Sequence, residues 1–203
     1  VSVSAQDFSN RGREFWLVFP PHQSSGNPPS LASLSVYVTS DQNSSGRIEY
    51  NGVTQTFSVT ANQTQEIILN RASSYISFSE TARYFPASSR TTVVPNRGIK
   101  ITVDAGRPPV VVYAHMFAGA RSAASLILPV TVLGKTYYSL NFRQNTNATQ
   151  NGEPAMSQFS VVATEANTNI QVQLRRNGAA FGVPLNVTLT NPCLLYTSDA
   201  ADE

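Results

Sequence analysis

The stretch Leu34-Ser-Val-Tyr-Val-Thr39 alternates apolar and polar residues and then breaks into the polar turn Ser40-Asp-Gln-Asn-Ser-Ser-Gly46. A second alternating stretch, Arg47-Ile-Glu-Tyr50, follows this turn. Alternation with a period of two residues is the pattern of a β-strand that has one buried and one exposed face. Two such strands joined by an Asn-containing polar turn predict a β-hairpin.

The same order of strand, polar turn and strand recurs far downstream. There it reads Phe159-Ser-Val-Val-Ala-Thr164, then Glu165-Ala-Asn-Thr-Asn169, then Ile170-Gln-Val-Gln173. The second copy keeps the alternation and the position of the threonine that ends the first strand. It therefore predicts a second β-hairpin.

The flanks of the two copies correspond as well. Gly12–Phe19 is echoed by Gly134–Phe142, and Phe57–Thr60 is echoed by Leu185–Thr188. Blocks that match in one order indicate a repeated structural unit. We therefore predict an all-β chain of two tandem antiparallel β-sandwich units related by an internal repeat, the second truncated. The predicted ranges are 1–11 for an N-terminal stub or linker, 12–120 for the first unit and 121–192 for the second.

The composition restricts the class of protein. Hydrophobic residues make up 41% of the 203 residues, which suffices for packed cores. Charged residues make up 13%, against a usual share of roughly 25%, and the formal net charge is +2. Such a chain lacks the basic footprint of a nucleic-acid-binding protein, and no apolar run approaches a bilayer-spanning length. We predict no nucleic-acid partner and no membrane insertion, and leave the oligomeric state open.

Both ends carry segments that we expect to lie outside the mature fold. Val3-Ser-Ala5 has the small-residue pattern of a signal-peptidase site. Cys193–Glu203, which holds the single cysteine, reads back into codons that resemble a transposase adapter used in short-read library preparation. We therefore expect residues 193–203 to be a translated adapter tail. Without that cysteine the chain has no disulfide bonds, no zinc clusters and no thiol chemistry.

Few residues are suited to catalysis. His22 and His115 are the only histidines, and the sequence has neither a Gly-x-Ser-x-Gly elbow nor a His-Glu-x-x-His pair. We predict no catalytic residue, no metal site and no cofactor, with His115 in a core or half-buried position. A fragment of an extracellular hydrolase stays open as an alternative and requires a carboxylate near His115. The available acids are Asp41, Asp104 and Glu165.

The turn of the first copy also resembles the opening of a calcium-binding loop. Asp41, Asn43 and Ser45 place oxygen ligands at alternate positions, and Gly46 allows a bend. The twelfth position of that motif is Gly52, where the motif has a bidentate glutamate. A polar turn is therefore the predicted structure.

Aromatic residues offer a platform for glycan stacking as a further alternative. Its members would be Trp16, Tyr37, Tyr50, Tyr137 and Tyr138. Because Trp16 and Tyr138 recur at one phase of a repeated strand, we predict core positions for them instead.

Four polar loops are the predicted contact sites, because loops on a rigid scaffold vary without disturbing its core. They are Pro21–Ser30, Asp41–Gly46, Arg143–Ser157 and Glu165–Asn169. The candidate ligand-contact residues within them are His22, Gln23, Asp41, Asn43, Asn147, Asn151, Glu165 and Asn167. In a eukaryotic secretory route, Asn-x-Ser/Thr sequons make candidate N-glycosylation sites of Asn43, Asn62, Asn147 and Asn186.

Several blocks, taken in order, carry a resemblance to a known family. They are Gly12–Phe19, Ser35–Ile48, Asn96–Val103, Val111–Tyr113, Leu126–Tyr137 and Phe159–Thr164. Together they resemble the N-terminal region of IgGFc-binding proteins, from about Gly12 to Thr190. The resemblance implies an extracellular, non-enzymatic recognition module, and it offers no contact motif to carry over residue by residue.

We predict a secreted or cell-surface recognition or adhesion module that binds an extracellular protein or glycan through its loops. A structural spacer within a large mucin-like or adhesin protein is the alternative, since a spacer needs the same sheets but no ligand. In the truncated second unit we also expect an exposed sheet edge.

Overall fold

The structure, a computed structural model, describes residues 9–20, 32–75, 91–94, 97–119, 121–140, 159–176, 178–189 and 194–197. Over these ranges the chain is built from antiparallel β-sheets with one short helix, which confirms the predicted all-β class. The strands are β1 Glu14–Leu17, β2 Ser33–Ser40, β3 Ser44–Tyr50, β4 Val53–Val59, β5 Gln63–Ile68, β6 Thr91–Val94, β7 Ile99–Val103, β8 Val111–Ala118, β9 Arg121–Ile127, β10 Phe159–Val162, β11 Thr168–Arg176, β12 Ala179–Leu189 and β13 Leu194–Thr197. The helix is α1, Arg71–Ser74.

Two four-stranded sheets form a β-sandwich. One has the strand order β5-β2-β8-β9 and is called here the β2 sheet. The other has the order β1-β7-β3-β4 and is called the β3 sheet. Alternate side chains of β1, β2, β7 and β8 enter one shared hydrophobic cluster, in which Val36, Val112, Phe15 and Ile101 are fully buried. This alternation is what two sheets with one buried face each require.

The predicted pairing of the first copy is wrong, although its two strands are found. β2 and β3 lie in different sheets, so the turn Asp41–Asn43 crosses the sandwich instead of closing a hairpin. The flanking serines are buried, and Ser40 Oγ and Ser44 Oγ donate hydrogen bonds to the backbone oxygens of Pro109 and Pro108. The serine hydroxyls at this crossing thus satisfy backbone oxygens of a distant segment. The hydrophobic pattern of the sequence does not show such bonds, so it could not distinguish this crossing from a hairpin turn.

The hairpin of this region forms one strand later. β3 pairs with β4 across Asn51-Gly52, and these two residues have positive φ angles of 42° and 76°. Positive φ at both central residues is the geometry of a tight hairpin turn, and Asn-Gly is its preferred dipeptide. This confirms the turn that the dipeptide predicts.

The second copy shows the same pairing pattern as the first. In the first copy β2 pairs with β5 and β3 with β4, while in the second β10 pairs with β13 and β11 with β12. β10 and β11 also lie in different sheets, so the predicted hairpin of the second copy is wrong as well. An Asn-Gly dipeptide stands between β11 and β12 at positions 177 and 178, and Gly178 has a φ of 81°.

β13, Leu194–Thr197, falls within the range 193–203 that we expect to be a translated tail. It pairs on its other side with β6, in a three-stranded sheet of order β10-β13-β6. The predicted boundary at residue 120 lies between the end of β8 and the start of β9, and β9 continues the β2 sheet. The division into two units stays a prediction.

Gly134–Phe142, the downstream counterpart of Gly12–Phe19, does not form a strand over its described residues. Residues 134–140 have no regular secondary structure, and Tyr138 is 87% exposed. The predicted core position of Tyr138 is therefore wrong. Its counterpart Trp16 is only half-buried in β1, where Phe15 and Leu17 enter the core instead, so the predicted core position of Trp16 is wrong as well. Residues 79–84, whose sequence fits either a short helix or a loop, lie outside the described residues. Within the described part of the chain, no helix is long and apolar enough to span a bilayer.

Gly46 provides a test of the sandwich packing. A Cβ at this position would collide with the backbone oxygen of Thr102 and lie 2.6 Å from the ring of Phe57. We expect Gly46→Ala to lower the free energy of unfolding by about 1–3 kcal/mol, as overpacking does. Urea denaturation of the full chain measures the change. Gly134→Ala is the matched control, because its Cβ meets only one atom, at 4.0 Å, and an unchanged stability in Gly46→Ala would contradict the packing described.

Candidate functional site

The solvent-facing side of the β2 sheet, called here the outer face, brings together the side chains of the candidate site. Antiparallel register aligns them in rows across four strands. One row contains Glu66, Tyr37, Tyr113 and Leu126, and the next contains Ile68, Ser35, His115 and Ala124. Phe117 lies one row further along, opposite Ser33.

Large apolar side chains are exposed on this face. Ile68 is 62% exposed, Phe117 47%, Tyr113 42% and Leu126 40%. A single exposed apolar residue is ordinary, but here the exposed side chains come from three of the four strands of one sheet face. An exposed apolar patch on one face with polar residues among its members indicates a protein-interaction site.

The opposite side of the sandwich has a different chemistry. The solvent-facing residues of the β3 sheet form ion pairs, from Arg47 Nε to Glu49 Oε2 at 3.0 Å and from Lys100 Nζ to Glu14 Oε1 at 3.3 Å. Lys100 also lies 5.5 Å from the centre of the Trp16 ring. A charged surface of this kind needs no partner to be soluble, so the two outer sides of the sandwich are not equivalent.

A hydrogen-bonded carboxylate lies at the centre of the outer face. Ser35 Oγ donates to Glu66 Oε1 at 2.7 Å, and Tyr37 Oη donates to the same oxygen at 2.9 Å. The Tyr37 and His115 rings lie 6.2 Å apart between centroids, with an interplanar angle of 55°. Two donors on one carboxylate oxygen fix the orientation of Glu66.

These contacts set the charge of the cluster. The hydroxyl of Ser35, followed by that of Tyr37, lowers the pKa of the Glu66 carboxyl below its ordinary value, because both donate to the ionised form. The same hydrogen bond to Glu66 raises the pKa of the Tyr37 hydroxyl, since deprotonation would remove the donor. At neutral pH the face therefore presents one fixed negative charge amid apolar side chains.

The hydrolase alternative required a predicted acid near His115. Asp41 is ion-paired with Arg11, and this pairing lowers the pKa of the Asp41 carboxyl. Asp104 accepts a hydrogen bond from Ser45 Oγ at 2.6 Å. The carboxylate whose charge interacts with His115 is that of Glu66, which the sequence reading did not single out.

The structure places only part of the predicted contact loops. Asn43 Oδ1 accepts a hydrogen bond from the backbone N–H of Ala61 at 2.8 Å, which ties the β2–β3 crossing to the next turn. Glu165 accepts from Thr168 Oγ1 through its backbone oxygen at 2.7 Å, and Asn167 is exposed with a φ of 58°. The remaining candidates, His22, Gln23, Asn147 and Asn151, lie outside the described residues.

The three sequons within the described part of the chain have different surroundings. Asn62 is exposed in a turn with a φ of 60°. Asn186 Oδ1 accepts from Gln171 Nε2 at 3.0 Å on the neighbouring strand. The Asn43 amide is used to hold Ala61, as described above. Occupancy of these sequons stays a prediction.

The residues of the outer face are difficult to predict from the sequence for a specific reason. Val110–Phe117 is apolar apart from His115, so its hydrophobic pattern does not show clearly which residues point inward and which outward. Tyr37 was one member of the aromatic platform considered as an alternative. It lies on the outer face, and its hydroxyl donates a hydrogen bond to Glu66. The usable signal was the alternation Ser35, Tyr37, Thr39 in β2, which marks the outward side of the sheet.

We expect Ser35→Ala to raise the pKa of Glu66 toward its ordinary value, because it removes the hydrogen bond that lowers it most. Since the folded-state pKa lies below the unfolded one, these bonds stabilise the fold above the unfolded pKa, and that contribution is lost as pH falls through the lowered pKa. Carboxyl NMR titration of the full chain measures the shift. Ser33→Ala, in the same strand, is the control, and equal Glu66 titrations in Ser35→Ala and the unaltered chain would contradict the assignment.

Comparison with known proteins gives one match. A family model described as IgGFc binding protein matches residues 123–195, from within β9 into β13. No curated protein and no solved structure matches the chain. The predicted resemblance is thus confirmed, and over residues 123–195 the chain is similar to the IgGFc binding protein family.

Proposed function

We propose that this chain is an extracellular, non-enzymatic recognition module that holds a protein partner against the outer face of its β2 sheet. The observation that carries the proposal is the set of exposed apolar side chains on that face, Ile68, Tyr113, Phe117 and Leu126. Tyrosine and phenylalanine are among the residues enriched at protein interfaces. They stand on a hydrogen-bonded four-stranded sheet, and residues held in such a sheet lose less entropy on binding than residues of a flexible loop.

The Glu66 cluster adds specificity to this apolar surface. Ser35 and Tyr37 hold one oxygen of the carboxylate, while Glu66 itself is exposed and able to accept further hydrogen bonds. A partner that leaves this charge unpaired would pay for its desolvation. The complementary partner surface therefore has an apolar centre and one basic group opposite Glu66.

The matched family suggests which protein to test first. Its description names binding to the Fc part of immunoglobulin G. The match begins at residue 123 and so includes Leu126, one of the exposed residues of the outer face. We propose an Fc fragment as the first candidate partner, and the predicted glycan ligand as a lesser one that no contact described here favours.

The predicted loops remain a proposal for secondary contacts. Asp41 and Asn43 lie beyond the end of β2, and both side chains are engaged by groups of this chain. A structural spacer without a ligand would have no need of the aromatic outer face.

We expect the double variant Tyr113→Ser/Phe117→Ser to bind an Fc fragment at least about tenfold more weakly than the unaltered chain. Buried aromatic contacts of this kind are worth about 2 kcal/mol or more when they are central to an interface. Both side chains point away from the sandwich core, so the fold is expected to remain. Surface plasmon resonance with the immobilised full chain measures the affinity, and thermal unfolding checks the fold.

Two control variants distinguish the face from other surfaces. Tyr138→Ser removes an equally aromatic and more exposed side chain elsewhere, with Tyr138 at 87% exposure, and should leave binding unchanged. Asp41→Ala with Glu165→Ala tests the predicted loops. Binding that is lost in the loop variant but kept in the double variant contradicts the proposed face. A folded chain that does not bind Fc at all favours the spacer.

We also propose that the chain consists of two tandem β-sandwich units, the second incomplete. The two hairpins β3–β4 and β11–β12, each with an Asn-Gly dipeptide between its strands, support this proposal. In the first unit β7 and β8 complete the sheets. Within the described residues, β11 and β10 have no strands in the corresponding positions.

A further inference from the structure

We propose that the outer face binds its partner in a pH-dependent way, because His115 gains a positive charge in mild acid and then competes with the partner's basic group for Glu66. The inference rests on the proposed function and deepens it, since it concerns how that same site is regulated. A histidine side chain ordinarily changes its charge between about pH 5 and pH 8. The charge of the outer face in this range therefore depends on His115.

The position of the Glu66 carboxylate is set by two residues of β2. Tyr37 is the cross-strand neighbour of Glu66, and Ser35 is that of His115. Both hydroxyls nevertheless donate to the same Glu66 oxygen, at 2.7 Å from Ser35 and 2.9 Å from Tyr37. The bond from Ser35 thus draws the carboxylate toward the row of side chains that contains His115.

Tyr37 lies between the carboxylate and the imidazole. Its ring centroid is 6.2 Å from that of His115, and its hydroxyl donates to Glu66. His115 is half-buried, and a partly buried charge is screened by salt less than a fully exposed one. After the hydroxyls of Ser35 and Tyr37, the charge of His115 also lowers the pKa of the Glu66 carboxyl. The two side chains are therefore coupled through their charges.

The neighbouring positions add no charge that changes in this pH range. The other titratable side chains of the face are Tyr37 on β2 and Tyr113 on β8, and tyrosine ordinarily ionises near about pH 10. The bond to Glu66 raises the pKa of Tyr37 further. Arg121 stands at the opposite phase of β9, whose outward positions in the described strand hold Ser122, Ala124 and Leu126.

The sign of the effect follows from these charges. Above the histidine range Glu66 is ionised and His115 is neutral, so the face attracts a basic group of the partner. Below that range Glu66 is still ionised, because its pKa is lowered, whereas His115 is a cation. The cation offsets the carboxylate and repels the basic group. Binding therefore weakens as the pH falls.

Benzamidine tests the inference without a protein partner. It joins an aromatic ring to an amidinium group whose charge does not change in the histidine range, so it has both features expected of the partner. Amide chemical shifts of the full 203-residue chain locate its site and give its affinity. We expect shifts at Tyr37, Tyr113 and Phe117. We expect an affinity about fivefold weaker at about pH 5.5 than at about pH 7.5, the size of effect that one exposed ion pair allows.

Three controls show whether His115 causes the effect. His115→Gln and the smaller His115→Asn remove the titratable group, and each should bind benzamidine equally at both pH values. His22→Gln removes the only other histidine and should keep the pH dependence of the unaltered chain. Benzyl alcohol, an uncharged aromatic probe, should bind the unaltered chain equally at both pH values. Amide spectra without a probe check that each variant is folded.

Several outcomes overturn the proposal. They are equal benzamidine affinities of the unaltered chain at the two pH values, a pH dependence that persists in the folded His115 variants, the same pH dependence with benzyl alcohol, and no shifts on the outer face at the higher pH. If benzamidine behaves as expected and Fc does not bind, the proposed partner is wrong and the pH-dependent face is supported. If Fc binds and benzamidine shows no pH dependence, only this inference fails.

Discussion

Asp41–Asn43 carry the chain from one sheet of the sandwich to the other, and the rest of the first unit depends on this crossing. Both ends of the crossing are buried, at Ser40 and Ser44. Each hydroxyl meets a proline carbonyl of the segment that leads into β8. Prolines have no N–H to offer, and their carbonyls are satisfied by these serines. The crossing and the start of β8 are thus fixed together.

That arrangement determines which side chains reach the outer face. Because β2 is paired by β5 on one side and β8 on the other, its outward residues Ser35 and Tyr37 lie between Glu66 and His115. The inward residues of the same strands, such as Val36 and Ala114, are used by the core. A one-residue shift of register would exchange the two sets and expose the core, so the face is as strictly specified as the core.

The sequence predicts strands better than it predicts their partners. Alternation located β2 and β3, and the dipeptide Asn51-Gly52 marks a tight hairpin turn. The pairing of β2 with β3 was wrong, because period-two alternation describes any strand with one buried side and carries no information on which sheet it joins. The hydrogen bonds that fix the crossing connect residues more than sixty positions apart in sequence, from Ser44 to Pro108.

The candidate site was harder to predict than the fold for a related reason. Glu66, Ser35 and His115 come from three strands that are distant in sequence, and none belongs to a recognised motif. The loops were predicted as contact sites because they are polar. However, the Asp41 side chain is ion-paired with Arg11, and the Asn43 side chain accepts a hydrogen bond from the backbone of Ala61. The family match confirmed the resemblance over residues 123–195 but supplied no contact residues.

Cross-saturation NMR tests the central claim, that the outer face holds the partner, most directly. The full chain is deuterated, an unlabelled Fc fragment is added, and the amide signals that lose intensity identify the contact surface. We expect losses at Tyr37, Tyr113, Phe117 and Leu126. Losses confined to Asp41–Asn43 and Glu165–Asn167, with the β2 sheet unaffected, would contradict this claim. They would show that the loops are the contact surface.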